Sequence, residues 1–188
     1  MRTDDLLAEA AAAETVAVWS PWVRVLHWTL AVSILVAWLT HEGAGWVHFT
    51  AGYTALAVVA LRIGLGLWSR SEHTRFVSFV RPIPATWAYA RDVLRRREHR
   101  FIGHNPLGGW MIVALLVTVA TSGGSGWLYT TDRFWGIAWV GDLHAISSDV
   151  LLWLIALHLA GVVVTSWRHS ENLVAAMILG RKRAPNAD

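Results

Sequence analysis

Four apolar stretches of roughly 20 residues each limit this chain more than any other feature. At 1.5 Å rise per residue, a helix of that length crosses a hydrocarbon layer about 30 Å thick. The stretches run from Val23 to Thr40, Val47 to Trp68, Leu107 to Thr130 and His144 to Trp167. Lipid offers backbone N–H and C=O groups no partner, so each stretch must bond internally as a helix. The composition agrees, with 55% of the 188 residues hydrophobic and only 15% charged. The fold class read from this pattern is all-α, an integral membrane four-helix bundle. The first span is short, yet Trp22 and Trp28 at one end and Trp38 and Trp46 at the other supply interfacial anchors. Asn105 followed by Pro106 predicts an N-cap and first-turn proline for the third helix.

The charges give the topology, because cytoplasmic segments carry the excess of Lys and Arg. Of sixteen basic residues, eight lie between the second and third spans: Arg70, Arg75, Arg81, Arg91, Arg95, Arg96, Arg97 and Arg100. Arg2 and Arg24 stand at the entry to the first span, and Arg168, Arg181, Lys182 and Arg183 follow the fourth. The other two connections together hold only Arg133. Both termini and the long loop are therefore expected in the cytoplasm. Residues 1–18 are Ala-rich and acidic, without a basic n-region, and read as a cytoplasmic segment rather than a removable signal peptide. Residues 19–168 form the bundle domain, including the cytoplasmic loop 69–105, and 169–188 a cytoplasmic tail. An amphipathic surface helix is expected near Pro84 to Arg97, where Trp87, Val93 and Leu94 interleave with arginines. The Arg95-Arg96-Arg97 run reads as topology signalling with attraction to anionic lipid, not as a nucleic-acid site.

Intramembrane polar groups need partners, and the nine histidines are unevenly placed. His27 opens the first span from the inside and His48 opens the second from the outside. His144 and His158 share the fourth span, fourteen residues apart, which is close to four turns and about 21 Å along one face. Because the helices alternate in direction, His48 lies level with His144, and His27 with His158. Two imidazoles facing across a gap suit bis-axial ligation of a b-type haem. The expected iron ligands are thus the pairs His48–His144 and His27–His158, one near each surface.

Arg62 lies fourteen residues beyond His48, on the same face and level with the inner pair. Haem propionates are the expected partner for its charge. Gly52, Gly161 and the trio Gly123, Gly124 and Gly126 supply the missing side chains that a flat ring packed on backbone needs. With no cysteine, the chain cannot hold disulfides, iron–sulfur clusters, thiolate zinc or thioether-linked haem. The remaining histidines, His41, His73, His99, His104 and His169, read as interfacial or solvated. His104 beside the third helix is the first of these for a secondary role. Trp153, between the two fourth-span ligands, reads as core packing, and Asp149 as turned away from the haem.

The segments "VRVLHW" (Val23 to Trp28), "VHFTAGY" (Val47 to Tyr53), "GHNPLGGWM" (Gly103 to Met111) and "LHAISSDVLLWLIALHLAGVV" (Leu143 to Val163) resemble the bacterial cytochrome b561 family. That family includes the b-type subunits of membrane-bound nickel-iron hydrogenases, and the ending "HSENLVAAMILGRKR" (His169 to Arg183) is similar to it as well. The resemblance covers about residues 16 to 183. It implies two non-covalent b haems held by His27, His48, His144 and His158, in a multi-pass protein of the bacterial inner membrane. It further implies electron transfer across the membrane between a quinone pool and a redox partner, with quinone oxidoreductase activity. A hydrogenase, a periplasmic c-type cytochrome or a small oxidant or reductant fits the partner role. Candidate rim groups for a quinone are His104 and Asn105 at the inner surface or His41, Glu42, Asp132 and Asp142 at the outer, and the sequence does not choose between them. Two other readings stay open. One is a histidine-lined transporter of protons or a divalent metal, which Arg62 opposes; the other is a haem-bearing anchor with no quinone site of its own.

Overall fold

Two of the four long helices begin where the sequence supplies a cap and a proline. Ser20 accepts the Val23 N–H at 3.3 Å ahead of a first-turn proline, opening α1 (Pro21–Leu39). A short turn then leads into α2 (Gly45–Trp68). The long connection that follows contains α3 (Phe76–Phe79) and α4 (Ile83–Leu94), the latter overlapping the surface helix expected near Pro84 to Arg97 but ending before the arginine run. Asn105 accepts the Gly108 N–H at 2.7 Å and Pro106 starts α5 (Pro106–Tyr129), as its sequence predicts. Then come α6 (Ala138–Arg168) and α7 (Leu173–Leu179). The computed structural model describes residues 15–43, 45–69 and 74–184. Arg2, Arg70, His73 and most of the segment 1–18 lie outside the described residues.

All four long helices are long and apolar enough to cross a membrane. The fourth starts six residues before His144, because Ala138 to Leu143 continue the helix in spite of Gly141 and Asp142. Val140, fully buried, pins this extra stretch, and an added Cβ at Gly141 would already meet the Tyr129 ring at 3.4 Å. The connection from α5 is correspondingly short, so the two helices pack as an antiparallel pair.

Packing runs in sequence, α1 on α2, α2 on α5 and α5 on α6. Between α6 and either α1 or α2 there is no backbone approach of that extent among the described residues, so the ring of helices has one wide seam. Side chains fill its middle. Ala55 and Val59 of α2, Leu116 and Val119 of α5 and Leu151 of α6 form the core, joined by Leu30 and Ile34 of α1 and Ile155 of α6. Most other apolar surface on the spans faces outward, as it must where lipid is the solvent.

A two-stranded ribbon, β1 (Thr15–Ala17) against β2 (Arg181–Arg183), joins the segments that precede α1 and follow α7. The Val18 and Trp19 N–H groups extend it by donating to Gly180 O at 2.9 and 3.1 Å. Both ends of the described chain therefore meet at one end of the bundle, called here the ribbon end. Three residues reading Arg-Lys-Arg carry no strand pattern, which is why sequence periodicity shows only helices. Ion pairs bind the long connection to the tail here: Arg168 to Glu98 at 2.9 Å, and Glu171 to both Arg100 and Lys182, the latter at 3.5 Å.

Candidate functional site

The seam between α6 and the α1–α2 pair carries the four helix histidines. At the far end of the bundle, His48 stands one turn into α2 and His144 two turns into α6, with ring centroids 6.1 Å apart and ring planes 84° apart. Each ring is anchored. His48 Nδ1 bonds Ala37 O at 2.9 Å and His144 Nδ1 bonds Ser122 O at 2.8 Å. A carbonyl only accepts, so the proton sits on Nδ1 in both rings and the Nε2 lone pair is left available. Metal-ligating histidines are characteristically held this way.

A closed polar circuit fixes the second ring. Ser148 donates from its hydroxyl to His144 O at 2.7 Å, Ser122 donates to Ser148 Oγ at 2.8 Å, and Ser122 O accepts from the His144 ring. One small residue makes room beside it. A Cβ added at Gly126 would come within 2.9 Å of the His144 ring, whereas at Gly52, Gly124 and Gly161 it would meet no atom within 4 Å.

Toward the ribbon end, His27 of α1 and His158 of α6 lie close enough to interact electrostatically. His27 Nδ1 is buried and has no hydrogen-bond partner among the described residues. Trp28 touches the same ring edge-on at 5.1 Å. The fourteen residues from His144 to His158 run along one unbroken helix, so the two levels are about 21 Å apart. The apolar core of Ala55, Val59, Leu151 and Ile155 lies between them.

Arg62 is buried near the ribbon end of α2, with protein partners of its own. Its Nη1 donates to Thr74 O at 3.2 Å, and the guanidinium lies 5.0 Å from the Phe76 ring centroid and 6.0 Å from that of Phe79. These contacts were invisible in sequence because α3, which supplies the rings, lies outside every span. With five N–H donors, the side chain keeps capacity beyond Thr74.

The other candidates disperse. His104 is packed between Trp19 and Phe79, at 4.4 and 4.6 Å between centroids, and the Asn105 side chain is used as the α5 cap. His41 bonds Trp38 O at 2.6 Å and sits 3.7 Å from Glu42, both exposed. Asp132, Asp142 and Asp149 are exposed. Trp153 is 79% exposed, so the expectation of core packing is corrected: seen down α6, it points away from the histidine face.

The family model of prokaryotic cytochrome b561 matches residues 18–180. The chain belongs to that family. The stretch shared with prokaryotic cytochrome b561 contains all four seam histidines and Arg62. Membership supports a redox role in membrane electron transfer, in a multi-pass protein of a bacterial membrane. No curated protein and no solved structure matches the chain.

Proposed function

We propose that this cytochrome b561 carries electrons between the two faces of the bacterial inner membrane through two b haems. His48 and His144 hold one, His27 and His158 the other. The observation that carries the reading is the far-end pair, two imidazoles on different helices with Nδ1 tied to carbonyls and Nε2 left available. Their 6.1 Å spacing suits a metal between them, given bonds of about 2 Å to each nitrogen and ring radii of about 1.1 Å. The open position at Gly52, one turn beyond His48 on the same face of α2, suits a flat macrocycle beside that pair.

When bound, each haem supplies an iron centre that changes charge by one electron. The chain's own contribution would be to hold the imidazoles that bind the iron, exclude water with the apolar core and set the local charge. Arg62 is the proposed propionate partner, using donors not engaged by Thr74. Its charge raises the potential of the nearer centre. A bare divalent cation is less well supported, since such ions ordinarily take four or more ligands. Among the described residues no group of three or more His, Cys, Asp or Glu could hold a metal ion. Two imidazoles suffice only for iron already held by a macrocycle.

The ribbon end carries Arg24, Arg168, Arg181, Lys182, Arg183 and the described basic residues of the long connection, Arg75 to Arg100, while the connection at the far end between α5 and α6 has Arg133. The positive-inside rule therefore supports a cytoplasmic ribbon end, with both termini and the tail there. Electron exchange is proposed with a membrane quinone and with a second redox protein, of hydrogenase or c-type cytochrome kind. Protein purified from haem-replete cells is expected to be red, to carry about two b haems per chain and to be reduced by quinol. A colourless preparation contradicts the haem reading, and a red one that no quinol reduces contradicts the quinone part alone.

A further inference from the structure

We propose that the ribbon end holds a binding site for the phosphodiester headgroup of an anionic phospholipid, formed where the C-termini of α4 and α6 meet. A cavity of about 410 Å³ opens there, lined by Arg96, Glu98, Trp167, Arg168 and His169. Arg168 is held in place by its 2.9 Å ion pair to Glu98 and its 3.0 Å bond to Val93 O. That pair neutralises the single carboxylate. Among the described residues Arg96 has no carboxylate partner, so the cavity keeps a net positive charge, with an imidazole beside it.

The backbone at this site is unusual. Arg96 and Ser170, at φ +56° and +49°, are the only non-glycine residues with positive φ among those described, and they end the two helices that wall the cavity. Both sit at the left-handed position of a Schellman turn. Around Arg96, its own N–H bonds Val93 O and that of Arg97 bonds Asp92 O; around Ser170, its N–H bonds Trp167 O and that of Glu171 bonds Ser166 O. Glycine is the residue that fits such a position without cost. An arginine there sacrifices backbone ease and gains a guanidinium in the cavity wall. The turn at Ser170 also pairs the Ser166 and Trp167 carbonyls of α6, which lessens their repulsion of an anion.

Lipid rather than soluble phosphate is favoured by the rim. Trp167 is 76% exposed at the end of a spanning helix, and Leu94 is 84% exposed beside Arg96. On α4, Ile83, Trp87 and Leu94 fall within about 40° of one another at 100° per residue, all mostly exposed. That stripe gives acyl chains an apolar bed next to a cationic headgroup pocket, the arrangement by which basic pockets at the cytoplasmic ends of helices take anionic lipid. The proposal rests on the membrane embedding of the chain and not on its haems.

The test uses the full-length holoprotein in neutral detergent micelles containing phosphatidylglycerol or phosphatidylcholine, with retained lipid read by native mass spectrometry. Wild type is expected to keep one phosphatidylglycerol in preference to phosphatidylcholine. Arg96→Asn, which suits the left-handed backbone and so preserves folding, is expected to weaken retention about fivefold, the worth of one basic residue at an anionic surface. Arg96→Lys is expected to restore most of it. Equal retention by wild type and Arg96→Asn, or no preference for the anionic lipid, overturns the site. Displacement of the lipid by millimolar inorganic phosphate overturns its assignment to lipid. The visible redox spectrum of the same samples reports separately on the haem reading.

Discussion

At the scale of single residues, the decisive atoms are two ring nitrogens and the carbonyls that hold them. His48 and His144 owe their tautomer to Ala37 O and Ser122 O, which lie 11 and 22 residues away along the chain. A hydrogen bond from Nδ1 makes an imidazole a more basic ligand, and a more basic axial ligand favours the oxidised iron. The far-end centre is therefore expected to have the lower midpoint potential of the two, with Arg62 raising the other. Redox titration of wild type and His144→Ala checks this, since the low-potential component is the one that disappears. Gly126→Ala gives a second test, because its Cβ would press within 2.9 Å of the His144 ring. It is expected to shift or abolish the same component and leave the other intact. That His48 and His144 share a level was legible from spacing alone, since 3.6 residues per turn and 1.5 Å rise per residue are properties of any helix. The anchoring carbonyls were not, because a backbone acceptor has no sequence signature.

Among elements, the sequence shows most clearly what depends on local chemistry. The N-cap at Asn105, the proline opening α5 and the surface helix α4 all follow from a few adjacent residues. The early start of α6 does not, for it depends on Val140 finding a buried place and on Tyr129 closing over Gly141. The docking of α3 against α5 is similarly tertiary. A Cβ at Gly109 would stand 2.5 Å from Phe79 O, a backbone atom that cannot swing aside. Gly109→Ala is expected to cost about 1–3 kcal/mol and to lower the melting temperature, seen by circular dichroism in detergent. The tail brings a pH dependence. Burial pushes the Glu171 carboxyl up, but the hydrogen bond from Arg100 and the charges of Lys182 and Arg100 outweigh it and hold the group below its ordinary value of 4.5. A carboxyl lowered on folding gives stability that is complete above that ordinary value and lost as pH falls through the depressed one. Proteolysis of the tail is thus expected to increase on acidification below pH 4.5 in wild type, and to be high and nearly pH-independent in Glu171→Gln.

For the whole molecule, one wide seam in a four-helix ring carries His48 and His144 at one end and His27 and His158 toward the other, with an apolar layer between them. Charge asymmetry is the basis for proposing that the ribbon end faces inward. The chain has no cysteine, so single cysteines can be introduced into an unreactive background. A membrane-impermeant thiol reagent is expected to reach Arg133→Cys from the periplasmic side of intact cells, and Arg97→Cys only after the membrane is opened. The reverse pattern inverts the topology. The central measurement is haem stoichiometry and difference spectra across the four single substitutions His27→Ala, His48→Ala, His144→Ala and His158→Ala. Two spectral components are expected, one lost in both His48→Ala and His144→Ala and the other in both His27→Ala and His158→Ala; loss of the same component in His48→Ala and His158→Ala contradicts the paired clamp.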